Sequence, residues 1–315
     1  MDRDRGAFEL ARQGSLRPEC QFPGEWRDGA FLQKPDYGQM HNLARFLAWS
    51  AVAAAGRDDG ARAAESLRIG FALSRHLGCA PQVSGPPTMR SMDAVMVRAA
   101  KCVLGGVALP VDAAERLSQE LDRARYAPRL TENLINIRRC FTVTYCDNAR
   151  SKPAAFASGT QWAALGIELP YLRDVEADLG AIGAVSYAKS SELTRDESVA
   201  LKLCDEFERL AALPYRAFFG RWRKLCESHP CESWLQPQAW VTSSGDACVR
   251  DRDEAIAGRD LLRAAIAVEG YRAQRGRYPA ALSDAGRTGL PIPEDVFGGK
   301  AFGYRPNGNS YVLYS

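Results

Sequence analysis

The chain has 315 residues, of which 46% are hydrophobic and 25% charged, and a net charge of only +3. That length exceeds one typical domain and can bury a large core, while the composition excludes a disordered chain. It also excludes recruitment of nucleic acid by bulk charge: 34 arginines stand against seven lysines, but they are dispersed among acids in no run of five or more.

In chain order, the first 36 residues read as an irregular N-terminal segment. It holds one short amphipathic piece, Ala7 to Gln13, before Pro18, Pro23, Gly24 and Pro35. From Tyr37 the apolar residues Met40, Leu43, Ala44, Leu47 and Ala51 recur at helical spacing and predict a helix that stops at Gly56. Asp58 or Asp59 can cap the next helix, in which Ala63, Leu67, Gly70, Phe71 and Leu77 continue the period to Gly78. So short a connection makes the two antiparallel.

After the loop Pro81 to Pro87, a third helix carries Met92, Val95, Met96, Ala99, Val103 and Leu104 and ends at Gly105-Gly106. Asp112 with Glu115 reads as a capping box opening a fourth helix to about Tyr126, and a fifth runs from about Thr131 to Tyr145. From Lys152 to Gly183 the periodicity is weak. Thr194 with Glu197 reads as a second capping box, ahead of Leu201, Cys204, Phe207 and Leu210. Pro214 opens the following helix through Phe218, Phe219, Trp222 and Leu225, and His229 to Gly245 reads as loop. Helix pairs at this spacing predict stacked antiparallel pairs, an α-solenoid or an irregular bundle, over residues 37–245.

Residues 251–315 differ in kind. Asp251 to Gln274 reads as one long helix, followed by Arg277-Tyr278-Pro279, a short helical turn, and two strand-like runs, Ala301 to Arg305 and Ser310 to Tyr314, joined by Pro306-Asn307-Gly308-Asn309. An Asn-Gly turn between such runs signals a hairpin. The fold class expected is therefore mainly α with a small C-terminal α+β module.

That module resembles the periplasmic part of the major pseudopilins of type II secretion. The matching residues are Tyr271, Gly276, Tyr278, Pro279, Leu282, Pro293, Asp295, Phe297, Gly298, Tyr304, Tyr311, Leu313, Tyr314 and Ser315. The resemblance implies work through protein assembly outside the cytoplasm. Two departures stand beside it. Asp251 to Gly258 is too charged to act as a filament-packing anchor helix, and the sequence stops at Ser315, before the loop with which those proteins hold calcium. The module is therefore expected to bind no calcium, since Asp284, Glu294 and Asp295 form no ready-made cage. Residues 18–147 also resemble the helical body of a group of bacterial proteins that carry this module, through Cys20-x-Phe22-Pro23, Leu43-Ala44-Arg45-Phe46-Leu47 and Leu73-x-x-His76-Leu77. Members of that group commonly have an N-terminal membrane anchor. Here the start MDRDRGAFEL is polar, and the most apolar stretch, Leu43 to Ala55, is too short to span a bilayer.

No constellation of catalytic or metal-binding residues stands out. Cys226, His229 and Cys231 lie close in sequence, but structural zinc takes four ligands and no second pair is evident; a local disulfide or an inert helix end are the other readings. The nine cysteines, Cys20, Cys79, Cys102, Cys140, Cys146, Cys204, Cys226, Cys231 and Cys248, contain no CxxC pair. They suit an oxidising compartment better than the cytoplasm, which is the alternative location. The three histidines, His41, His76 and His229, limit any His-based mechanism, and His76, near a helix C-terminus, reads as a dipole-stabilised imidazole. Asp58-Asp59, Asp205-Glu206 and Asp253-Glu254 read as solvated acids, and Gly298-Gly299-Lys300 as a turn. Tyr278, Tyr304, Tyr311 and Tyr314 read as packing of the β module. No cofactor, metal or nucleic acid is expected. The function expected is a non-enzymatic scaffold with a protein partner, linked to an envelope or secretion assembly; the alternative is a hydrolase using carboxylates in a groove of the helices.

Overall fold

A computed structural model describes residues 2–18, 20, 37–78, 85–123, 128–153, 186–231, 236–243 and 245–315. The stretch through Phe22, Pro23, Gly24 and Pro35, most of the segment from Lys152 to Gly183, and Cys79 lie outside them. The chain is mainly α-helical with a small α+β element at its C-terminus, as the periodicity predicts.

The N-terminal helices are α1 (Asp2–Ser15), α2 (Tyr37–Ala55), α3 (Gly60–Gly78), α4 (Gly85–Gly106) and α5 (Val111–Arg123). They gather around α3, which touches α1, α2, α4 and α5, while α2 and α4 also touch each other. This is an irregular bundle, one of the two arrangements expected. Leu67, Ile69, Phe71 and Leu77 of α3 are fully buried, as are Leu47 of α2, Met92 and Met96 of α4 and Leu121 of α5. At the start of α3 the Asp59 carboxylate accepts the Arg62 N–H at 3.0 Å.

A second group comprises α6 (Pro128–Ser151), α7 (Ser191–Ala211), α8 (Tyr215–Ser228) and α9 (Pro237–Ser243). Phe207, Phe218 and Trp222 form its aromatic centre, with ring centroids 5.0 to 5.8 Å apart, closed by Val241 and Val249. Gly245 sits so close that a Cβ there would lie 2.5 Å from the Trp222 ring.

One helix joins these two groups. α10 (Gly245–Arg275), 31 residues and about 46 Å long, puts Val249 into the second core and Leu262 and Ile266 into the first. Its Ala264, Ala267 and Val268 form a third core with α11 (Leu282–Ala285) and the hairpin β1 (Gly303–Asn307) and β2 (Ser310–Tyr314). In the hairpin Asn307 pairs with Ser310, and Gly308 takes the positive φ of 57° needed at the first turn position.

Several local expectations are corrected. The amphipathic piece read at Ala7 to Gln13 belongs to a longer helix, α1, with Phe8 and Ala11 in the core that α3 centres. Neither capping box forms, because both helices begin upstream. α5 starts at Val111 behind Pro110, leaving Asp112 inside the first turn, paired with Arg116. α7 starts at Ser191, with Ser190 as the cap accepting from the Glu192 N–H at 3.2 Å. The supposed loop after His229 contains α9, and α10 begins at Gly245, ahead of Asp251.

Candidate functional site

The densest ionic chemistry lies on α10 and is buried. Arg259 reaches across to α4, where its Nε and Nη2 each lie 2.8 Å from an oxygen of Asp93, a bidentate fork in which both side chains are buried. The Ser74 hydroxyl of α3 stands 2.5 Å from the same carboxylate. One turn on, Arg263 places Nη1 2.8 Å from Asp122 of α5 and 3.2 Å from Asp260. Toward the second core, Arg252 donates to the Leu213 carbonyl at 2.9 Å, to the Ala211 carbonyl, and to Asp253 at 2.7 Å. The other Asp253 oxygen accepts the Tyr215 N–H at 2.7 Å and so caps α8, whose N-cap Pro214 has no side-chain donor or acceptor. Arg90 of α4 adds exposed bonds to Asp251 and Glu254.

A helix between several neighbours needs something beyond an apolar stripe to fix its rotation and height. Buried charges supply it, since each tolerates only the geometry that pairs it. Asp253 was expected to be solvated; it is fully buried, and the expectation suits only its neighbour Glu254. The signal in the sequence was Arg259-Asp260 and Arg263 at helical steps within the otherwise apolar stretch Ala255 to Val268, whereas Arg252-Asp253 is hidden in the charged run Arg250 to Glu254.

The remaining candidates are structural too. His76 is buried, its Nε2 donating to the Arg17 carbonyl at 3.0 Å, and burial, aided by repulsion from Arg75, lowers its pKa. Desolvation thus outweighs the dipole effect expected of it. His41 lies 3.0 Å from the Ser91 hydroxyl. His229 Nδ1 faces the Leu225 carbonyl at 3.1 Å, and Cys231 contacts the His229 carbonyl and Thr242, with burial pushing its thiol pKa up. A raised thiol pKa opposes nucleophilic use. Cys226 and Cys231 form no disulfide with each other. Between α6 and α7, Tyr187 donates to buried Asp196 at 2.8 Å, and burial pushes the nearby Cys146 up to about 12. Asp205 pairs with Arg139, and Glu206 with Arg209.

In the C-terminal module Tyr278, Tyr304 and Tyr311 pack ring to ring around Glu269 of α10, whose pKa burial raises. Tyr314 stands apart and exposed. Asp295 uses its carboxylate oxygens on the N–H groups of Phe297 and Gly298, both at 3.1 Å, which fixes the turn read at Gly298-Gly299-Lys300. Phe297 then meets Tyr215 of α8 edge-on at 6.4 Å.

Among the described residues no helix is long and apolar enough to cross a membrane, and no group of three or more His, Cys, Asp or Glu could hold a metal ion. The chain matches no known protein family, and no curated protein or solved structure matches it either.

Proposed function

We propose that this chain is a non-catalytic scaffold that works through protein contacts, in an envelope or secretion-related assembly outside the cytoplasm. The supporting observation is how the buried carboxylates are used. Asp93, Asp253 and Glu120 each engage an arginine, Asp253 a helix N-terminus as well, and Asp93 and Glu120 do so across helices. That is the chemistry of holding a shape, whereas a glycosidase-type hydrolase needs carboxylates facing each other across a substrate. The extracytoplasmic location rests on the pseudopilin resemblance and the number of cysteines.

Affinity capture from the source cell tests the reading. The full chain is expected to retain a defined partner that a chain truncated after Arg275 loses. Turnover of an ester, peptide or glycoside, abolished by one carboxylate substitution that leaves the fold intact, would overturn it in favour of a hydrolase. Fractionation of the source cell checks the location, and finding the chain wholly in the cytoplasm with every thiol reduced counts against it.

A further inference from the structure

Helices α2 and α4 pack against each other and both pack on α3, whose contacts fix their direction. The Asp59 N–H bonds the Ala54 carbonyl at 3.0 Å and turns the chain back from α2 into α3. Gly78, Ser74 and Gly70 of α3 face Met89, Asp93 and Met96 of α4 in reverse order. α3 therefore runs against both neighbours, and α2 and α4 run parallel. The His41 Nε2 lies 3.0 Å from the Ser91 hydroxyl, which sets their register. At the helical rise, Trp49 stands about 12 Å beyond His41 and Arg98 about 10 Å beyond Ser91, so the two share a level. Arg45 comes one turn earlier on α2, and Lys101 about one turn later on α4. All four side chains are exposed.

The charge of this face is one-sided. On α2 and α4 the only acid is Asp93, buried against Arg259. Arg90, near the start of α4, is taken by Asp251 and Glu254 of α10. The nearest acids in sequence to α2, Asp36, Asp58 and Asp59, stand beyond its ends, and Asp59 is used in capping α3. Arg45, Arg98 and Lys101 remain. None of them has an ion-pair partner among the described residues, and Arg98 bonds only the Ala94 carbonyl of its own helix, at 3.4 Å. Trp49, beside them, is 73% exposed, more than any other large hydrophobic side chain among the described residues. A ring of that size is ordinarily well buried.

We propose that the outward face of α2 and α4 docks on an anionic lipid bilayer, with Trp49 seated among the headgroups and Arg45, Arg98 and Lys101 on lipid phosphates. This goes beyond the scaffold reading and does not depend on it. A second copy would set three cations against three. The carboxylates of a folded partner are fixed in place and call for cations fixed to match. These three are held by no ionic partner, and laterally mobile lipid phosphates can follow them wherever their long stems reach. Tryptophan suits the same layer, because its apolar ring and polar N–H fit the boundary between acyl chains and headgroups. Leu47 and Ala51 of α2 are already committed to the core, so α2 rests on the surface and Trp49 alone enters it.

The test floats the full chain with vesicles of about 30% phosphatidylglycerol in phosphatidylcholine, against pure phosphatidylcholine. Binding is expected to the anionic vesicles only, and salt at about 0.5 M, where the Debye length falls to about 4 Å, should remove it. Arg45→Gln, Arg98→Gln and Lys101→Gln should each weaken binding roughly fivefold, and the triple variant should abolish it. A matched triple on the exposed side of α8, Arg216→Gln, Arg221→Gln and Lys224→Gln, removes the same charge elsewhere and should leave binding unchanged. All six positions are exposed, so thermal melts of both triples should match the parent. Lipids brominated high on the acyl chain should quench part of the parent's tryptophan emission, a part missing in Trp49→Phe. Absence of binding to anionic vesicles overturns the proposal. Equal weakening by the two triples does so too, since the effect is then bulk charge, as does equal quenching of parent and Trp49→Phe. An acidic peptide or an oligonucleotide held at this face in place of vesicles would assign it to a macromolecular partner instead. The α2 and α4 triple is expected to keep the cellular partner that the scaffold reading calls for, so failure of either reading shows separately.

Discussion

Arg259 and Asp93 show what a single buried charge does in this chain. The pair is bidentate and shielded from water, so its strength depends on both members being present. Arg259→Leu leaves the Asp93 carboxylate buried with only Ser74 beside it and should cost about 3–5 kcal/mol, seen as a lowered urea midpoint. Adding Asp93→Leu should recover much of that loss; if the double variant is no more stable than the single, the pair is not the cause. His76 acts through pH. Burial lowers its pKa from an ordinary 6.5, so the unfolded chain binds the proton first as pH falls. Its contribution to stability is full above about pH 6.5 and declines as pH drops through the lowered value. His76→Gln should remove that part of the slope below about pH 6.5, and parallel stability curves for the two proteins would rule the coupling out.

At the scale of elements, the hairpin is held to α10 mainly by its inward aromatic face. Tyr311 contacts two other tyrosine rings, so Tyr311→Ala should cost about 2–4 kcal/mol. Leu313 is only half-buried, so Leu313→Ala should cost less, about 1–2 kcal/mol. Equal stability of both variants and the parent in thermal melts would show that the hairpin does not contribute to the fold. The elements also show which sequence signals were legible. α2, α3, α8 and β2 lay where apolar spacing, Asp59, Pro214 and the turn signal put them, because those signals act locally, while β1 runs two residues further than expected, to Asn307, and the turn is Gly308-Asn309. The two capping boxes misled because a Ser, Thr or Asp three residues before Glu also fits the interior of a first turn, and Ser190 and Pro110 were the real boundaries. α4 starts inside the expected loop because Pro86 and Pro87 stand in its first turn, where a missing N–H costs nothing. α9 spans only seven residues, too few for a period to show. The ionic pairs of α10 stayed hidden for another reason: whether Arg259 meets water or Asp93 is decided by a helix 166 residues away.

Among the described residues, α10 contributes side chains to all three apolar clusters. Losing it would open each of them at once, so the clusters should not unfold separately. Native-state hydrogen exchange should therefore give amides of α3 and α7 the same unfolding free energy and the same dependence on urea. Two distinct values would mean that the bundles are independent and α10 a mere connection. Arg259→Leu should lower both values together, although it touches only the first bundle.

The same helix sets a schedule for synthesis. Asp93 leaves the ribosome 166 residues before the arginine that neutralises it, roughly 8 to 33 s at ordinary elongation rates. Until then the first core lacks Leu262 and Ile266, and Asp93 has no Arg259 guanidinium to meet. The N-terminal bundle therefore stays incomplete until α10 has been made, and a chain interrupted before Gly245 is expected to be cut by proteases faster than one that includes α10.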